Sequence, residues 1–464
     1  MIEPAVDTHA HLDFDRLAED LVGVLDRARE AGIAAIVNVG TEPADNGRVV
    51  EIAQREPAVW AAVGFHPHVA SKIKAVDWMV LEELARRKKV VALGEFGLDY
   101  RHEHAPRTVQ RQVMTESVRL ALALDLPIIL HTRDCGKDAF AVLEEAGAGR
   151  RPRGVFHCFT GGPEYAADIV DRGFYVSFSG ILTFPKSADV REAAKRVPLE
   201  RVLVETDSPY CAPVPLRGKL NEPANIVHTI RFLAKLYGLD EDDVRRITTR
   251  NAAHLFGLPL EAGGPCLVYP IRRSLYVNVT NECSNACTFC PRQLGNLTVK
   301  GHDLTLGEPP SAGDVVVALE RAGIEGYDEI VFCGFGEPTL RLAVITDVAR
   351  TVKERWQKPV RLNTNGQGSA LNGRSIVPEL EGLIDSVSVS LDAPDAVTYD
   401  KLCRPTVKDA FAQVCQFLRA CKGHIPDVRA TAVAVPGLDV EAIRRLAEYD
   451  LCVDFEVRAY NVVG

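Results

Sequence analysis

The chain carries no excess of positive charge: its 464 residues hold 54 Lys and Arg against 63 Asp and Glu, a net charge of −9. That excludes a general basic skin for gripping long duplex DNA, and with it a sequence-reading DNA-binding protein. A nucleic-acid substrate would have to be held locally, by metal ions and a few basic side chains. Also missing are a basic leader with an apolar core and any apolar run of membrane-spanning length; Met1 to Val6 lead straight into a strand-like segment. A cytoplasmic protein with no membrane partner is expected. In a reducing compartment the twelve cysteines are not a disulfide framework. Clustered ones point to metal or redox chemistry, and isolated ones to small buried hydrophobes.

What is present is the composition of a well-folded protein, 47% apolar and 25% charged. There is no internal repeat and no low-complexity tract. Short apolar runs alternate with amphipathic stretches such as Leu17–Ala31 and Arg107–Leu124. The strand candidates are Val6–Leu12, Ala34–Gly40, Val59–His66, Val90–Leu98, Pro127–His131, Gly154–Phe159, Tyr175–Ser179 and Val202–Glu205. Eight strand–helix units predict an α/β fold, a (β/α)8 TIM barrel over residues 1–258. A Gly/Pro-rich linker is expected over 259–271. The beat restarts over 272–464, with strands at Ser274–Thr280, Glu329–Cys333, Val360–Asn363, Ser386–Leu391, Arg429–Val433 and Asp454–Arg458. Six units are too few for a full barrel, so a partial (β/α)6 barrel is expected.

In the first part, ligand-type residues gather at strand ends, where barrel enzymes build their sites. His9 and His11 share a face of the first strand. Glu95 lies in Gly94-Glu95-Phe96-Gly97-Leu98-Asp99, His131 in Leu130-His131-Thr132-Arg133-Asp134, His157 in Phe156-His157-Cys158-Phe159-Thr160-Gly161, and Asp207 in Glu205-Thr206-Asp207-Ser208-Pro209-Tyr210. Four imidazoles and two carboxylates converging on one mouth suit two divalent ions, one carboxylate bridging them. Zn, Mn, Co or Mg would each accept such nitrogen and oxygen ligands. A few satisfied barrel histidines are the bland alternative, and six such residues at strand ends weigh against it. Arg133 is suited to clamping a phosphate, or equally to pairing with Asp134 or Asp99.

In the second part, Cys283, Cys287 and Cys290 form a CxxxCxxC loop directly after a strand, with Phe289 before the last cysteine. Three thiolates on a [4Fe–4S] cluster leave one iron open for S-adenosylmethionine. A zinc site completed by Cys266 or Cys333 is the rival reading. Further on come Gly334-Phe335-Gly336-Glu337-Pro338, Asn363-Thr364-Asn365-Gly366, and Ser388, Ser390 and Asp392 on one strand face. Backbone flexibility and polar side chains there suit a small nucleoside ligand, and the Glu337 carboxylate suits an ammonium.

Residues 1–257 resemble the TatD family of metal-dependent DNases, and residues 272–464 resemble the radical SAM superfamily, in the form of short proteins linked to TatD-type nucleases. The first resemblance implies that His9, His11, Glu95 and Asp207 hold one ion and Glu95, His131 and His157 the other. Asp207, Glu95 and His66 would be the catalytic set, Asp207 orienting or deprotonating the attacking water. His66, in Gly64-Phe65-His66-Pro67-His68, would face the substrate beside Arg133, whereas His68 reads equally as a plain surface residue. DNA, as a single strand or an end, is the implied substrate. The second resemblance implies Cys283, Cys287 and Cys290 as cluster ligands, with S-adenosylmethionine held by Gly336, Glu337, Asn365, Ser390 and Asp392. An electron donor such as flavodoxin or ferredoxin goes with it. Phe335 breaks the commoner double glycine. Cys403 is a minor candidate hydrogen-atom donor. The alternative to a bifunctional enzyme is a non-DNA amidohydrolase or phosphoesterase barrel governed by a cluster acting as a redox sensor.

Overall fold

The computed structural model describes residues 3–260, 266–295 and 297–460. The chain divides into two compact units, Met1–Ala262 and Gly263–Gly464. In the first, β1 (Ala5–Ala10), β2 (Ile33–Val39), β3 (Val59–Val63), β4 (Val90–Asp99), β5 (Ile128–Arg133), β6 (Gly154–Phe156), β7 (Tyr175–Phe178) and β8 (Val202–Val204) form one parallel sheet in sequence order. These are near-continuous Val, Ile, Leu and Ala runs, as strands covered on both faces require. All ten residues of β4 are buried. The sheet closes just past the end of β8: His11 N–H donates to Ser208 O at 2.8 Å and Asp207 N–H to His9 O at 2.9 Å. The eight-stranded barrel expected from the strand–helix beat is therefore present, and its seam is sewn at three of the ligand-type residues.

Several predicted strands run too long. The third stops at Val63 because Gly64 leaves the ladder for the Asn46 side chain, donating to its Oδ1 and accepting from its Nδ2, both at 2.9 Å. The sixth stops at Phe156 because Cys158 adopts a left-handed φ of 42°. The helix predicted over Leu17–Ala31 is two, Asp15–Ala18 and Leu21–Glu30, since Asp20 takes non-helical angles (φ −124°, ψ 38°).

The helix Glu241–Phe256 plugs the barrel floor. Its Ala252, Leu255 and Phe256 pack with Val6, Ala35, Val91, Ile129, Val155 and Leu203 from inside the strands. Asn251 Nδ2 ties it to Leu199 O and Val202 O, both at 2.8 Å. Function is thereby confined to the opposite, C-terminal mouth.

The second unit is a seven-stranded sheet in the order β17-β16-β15-β14-β13-β10-β9. Its strands are β9 (Val268–Ile271), β10 (Ser274–Val277), β13 (Glu329–Phe332), β14 (Val360–Thr364), β15 (Ser386–Ser390), β16 (Asp427–Val433) and β17 (Asp454–Arg458), and β11 (Thr298–Val299) with β12 (His302–Asp303) makes a separate hairpin. Six strands are parallel, as the expected six units require. The seventh corrects the linker: residues 268–271 are an antiparallel edge strand on β10. Tyr269 is buried there against Tyr276, and Pro270 is tolerated because an edge strand can do without its N–H. The Glu261–Pro265 part of that linker lies outside the described residues.

Truncating the floor plug, Phe256→Ala, is expected to cost about 3–5 kcal/mol. Denaturant unfolding monitored on the barrel checks this; a loss below about 1 kcal/mol would show that the helix is not part of the core.

Candidate functional site

Glu95 sits at the centre of the barrel mouth. Its Oε1 lies 3.8 Å from His9 Nε2 and 3.6 Å from His11 Nε2, and its Oε2 lies 2.8 Å from His157 Nε2 and 3.6 Å from His131 Nδ1. Asp207 Oδ1 completes the first group, 3.8 Å from His9 and 3.6 Å from His11, whose own Nε2 atoms are 3.3 Å apart. Such edges are close to the roughly 3.4 Å expected between donors each about 2.1 Å from one tetrahedral cation. Buried Glu95 Oε2 makes no aligned hydrogen bond, as a metal-directed lone pair would leave it. His9 with Glu95 and His157, His9 with His11 and Asp207, and His66 with Glu95 and His131 each bring ligand atoms within 4.8 Å of one another, and such imidazole–carboxylate groups have the chemistry to hold divalent ions.

Backing groups fix the rings. His11 Nδ1 meets Val39 O at 2.8 Å, which aims Nε2 inward. His131 Nε2 lies 3.4 Å from Asp99 Oδ2 and His157 Nδ1 3.6 Å from Glu205 Oε1, ion-pair separations without an aligned hydrogen bond. An acceptor behind a ligating imidazole sets its tautomer and raises its basicity. Asp99 is itself gripped by His68 Nε2 at 2.8 Å and His102 Nδ1 at 2.9 Å, so His68 is part of the site's frame rather than plain surface. Asp99, Glu205 and His102 were not singled out from sequence, although the first two lie inside the quoted motifs. Gly97 is required where β4 meets β5: its φ is +155°, and a Cβ would sit 1.9 Å from His131 O.

Burial works against charge here, but the imidazoles prevail. Desolvation would raise the Glu95 carboxyl, yet His157, His66 and His9 hold it well below the usual range. Asp207 is only partly exposed; desolvation would raise its carboxyl too, yet it is held down to about 2, chiefly by His11. Desolvation lowers His9 and keeps it a neutral donor.

The ligand-type residues open into a cavity of about 690 Å³, lined by His66, His68, Arg133, Tyr210 and Phe14 among others. His66 packs against the His131 ring at 4.4 Å between centroids. Arg133 is half-buried in that wall, while its suggested partners are engaged elsewhere, Asp134 with Arg101 at 3.5 Å and Asp99 with the histidines.

In the second unit the cysteine loop is strapped to the segment after β15. Thr288 N–H donates to Leu402 O at 2.8 Å, Ala286 N–H to Cys403 O at 3.0 Å and Thr406 N–H to Ser284 O at 2.8 Å. Beneath it lies a buried polar net. Gln367 accepts from Ser284 Oγ at 2.9 Å and donates to Asn285 Oδ1 at 2.8 Å and Tyr399 OH at 3.1 Å. Asn365 Nδ2 donates to Ser284 Oγ at 2.8 Å and lies 3.9 Å from Cys283 Sγ.

Gly334 and Gly336 bring the end of β13 against the approach to that loop. A Cβ on Gly336 would lie 2.1 Å from Thr280 O, and Glu337 N–H donates to Glu282 O at 2.7 Å. The Glu337 carboxylate, expected to meet an ammonium, is buried and taken up: Thr339 Oγ1 and Thr364 Oγ1 donate at 2.6 Å and Asn365 N–H at 2.7 Å. The backbone of this segment is what can approach a ligand. Ser390 Oγ accepts from Arg458 at 3.0 Å, and buried Asp392 accepts from Val433 N–H at 3.0 Å. Cys403 is fully buried under the loop.

The TatD related DNase family model matches residues 6–257, over half of the chain. The chain belongs to this family. The Radical SAM superfamily model matches residues 277–449, so a TatD-like metal-dependent hydrolase of the nuclease class is joined to a radical SAM domain. Among relatives, the metal-dependent hydrolase YabD of Bacillus subtilis is 38% identical over 250 residues, 54% of this chain and 98% of that protein. The 3'-5' ssDNA/RNA exonuclease TatD of Citrobacter koseri is 31% identical over 257 residues, 54% of this chain and 98% of its own length. The crystal structure of the TatD homolog YjjV from Escherichia coli superposes with a TM-score of 0.53 at 31% identity, covering 56% of this chain and all of that one. Membership in the two families implies divalent metal ions in the first half, and an iron–sulfur cluster with S-adenosylmethionine in the second. No helix among the described residues is long and apolar enough to cross a membrane.

Two variants test the frames. Asp99→Asn is expected to weaken metal affinity about 10–100-fold, read by titration with Mn²⁺; unchanged affinity would contradict the role given to Asp99. Gln367→Leu leaves buried Ser284 and Asn285 short of partners, at about 1–3 kcal/mol each. Iron retained per chain is expected to fall, and full iron content with unchanged thermal unfolding would contradict it.

Proposed function

We propose that the barrel hydrolyses phosphodiester bonds in nucleic acid, at single strands or ends, with His9, His11, Glu95 and Asp207 holding one divalent ion and Glu95, His131 and His157 the other. The observation that carries this is the division of the Glu95 oxygens between two sets of imidazoles at the floor of one cavity. The ions would supply charge that acidifies a water and neutralises a phosphoryl oxygen. Asp207, kept ionised by its histidine neighbours, orients that water and takes its proton. Arg133 and His66 stand in the cavity wall as phosphate contacts, and Asp99 and Glu205 hold the imidazoles still. The exonuclease activity named for the Citrobacter koseri relative supports a nucleic-acid substrate. It also agrees with a net charge of −9, which favours local capture over broad electrostatic binding.

For the second half, Cys283, Cys287 and Cys290 are assigned to a [4Fe–4S] cluster. The 334–337 backbone at Gly336 and Glu337 is assigned to S-adenosylmethionine, with Asn365, Ser390 and Asp392 along its ribose side. The cluster would supply one electron to the sulfonium of S-adenosylmethionine, drawn from a donor of the flavodoxin or ferredoxin kind. Ser284, Asn285, Gln367 and Tyr399 keep the loop in place for that ligand set.

With Mn²⁺ or Mg²⁺ present, an end-labelled single-stranded oligonucleotide should be shortened. Chelation, Glu95→Ala and Asp207→Ala should each reduce the rate by at least about a hundredfold, or about 2.7 kcal/mol. Retained turnover in both variants, or hydrolysis of cyclic amides with none of DNA, would contradict the proposal.

A further inference from the structure

The barrel mouth holds a second set of ligand atoms outside the binuclear group. Cys158, just past β6, and Cys211, four residues after Asp207, bring their Sγ atoms to 3.9 Å. Cys211 Sγ also lies 3.4 Å from Asp207 Oδ2, the oxygen turned away from the His9 and His11 rings. Two sulfurs and one oxygen thus converge within 4.8 Å, on residues that all line the cavity. Ser179 Oγ, 3.2 Å from Cys158 Sγ, adds a neutral oxygen beside them.

The distances decide between a disulfide and an ion. A disulfide needs its sulfurs at about 2.05 Å, so these two would have to close by nearly half their separation. Two thiolates about 2.3 Å from a tetrahedral cation lie about 3.8 Å apart, and a thiolate and a carboxylate oxygen on it about 3.5 Å apart. The observed 3.9 and 3.4 Å are those spacings. Thiolate donors select soft or borderline cations over Mg²⁺ or Ca²⁺.

We infer that Cys158, Cys211 and Asp207 Oδ2 form a third cation site, specific for a thiophilic divalent ion of the zinc or cadmium class. Binding displaces the two thiol protons to solvent, and water or Ser179 Oγ completes the coordination. The inference rests on the proposed binuclear reading only through Asp207, whose carboxylate would bridge the new site to the first ion.

The test uses the full-length, cluster-loaded, reduced protein, so that Cys283, Cys287 and Cys290 are occupied. N-ethylmaleimide labelling of Cys158 and Cys211 is followed by peptide mass spectrometry in zinc, cadmium or magnesium. Zinc or cadmium tenfold above its dissociation constant should slow labelling of both thiols about tenfold; magnesium should not. Protection should persist in His131→Ala, which strikes the other ion, and should vanish at Cys158 in Cys211→Ser. X-ray absorption of the zinc-loaded protein should show sulfur neighbours at about 2.3 Å. Unprotected thiols in a protein that still takes up two manganese ions would overturn the third site and leave the binuclear reading intact. In a parallel sample kept free of reductant, thiols that label only after reductant is added would overturn it in favour of a disulfide, and zinc with nitrogen and oxygen neighbours alone would overturn it as well. Protection in a protein that binds no manganese would instead remove the binuclear reading and keep this one.

Discussion

One buried carboxylate organises the first half of this protein. Glu95 is almost inaccessible within β4, and a lone carboxylate there would be strongly disfavoured. It stays ionised because imidazoles approach both of its oxygens. The His11 ring is set by Val39 O, and Asp99 and Glu205 stand at ion-pair distance behind His131 and His157. Asp99 in turn is held by His68 and His102. The mouth of the barrel is thus an outward-running series of charge compensations.

The same economy of placement appears in the cysteine loop. Its thiols are half-buried rather than packed away, and the loop is kept from collapsing by backbone ties to residues 402–406 and by the Gln367 net below. Close approach of β13 to the strand before the loop needs Gly336, since a Cβ would collide with Thr280 O. A rigid frame around three partly exposed thiols suits a cluster bound by that loop.

Much of this was legible in the sequence because the relevant signals are local. His9 and His11 two apart on a strand, His131 at a strand end, and the CxxxCxxC spacing all lie within a few residues of chain. Strand order followed from the regular beat. What escaped was set by distant partners. Glu205 backs His157 from 48 positions along the chain, and the Cys158–Cys211 approach spans 53. The edge strand β9 was hidden by its own Pro270 and neighbouring glycines, which read as linker until Tyr269 is seen buried on Tyr276. Glu337 read as a ligand contact by its place in a motif, whereas Thr339, Thr364 and Asn365 consume its carboxylate in the fold. His68 looked like surface because its partner, Asp99, is 31 residues away.

The most direct check on this account is the electron paramagnetic resonance spectrum of the manganese-loaded protein, wild type against Glu95→Gln. A carboxylate bridging two ions predicts an exchange-coupled pair in the wild type that disappears in the variant, leaving isolated-ion signals or none. A wild-type spectrum of isolated manganese alone, or a coupled pair that survives the substitution, would contradict the central place given to Glu95.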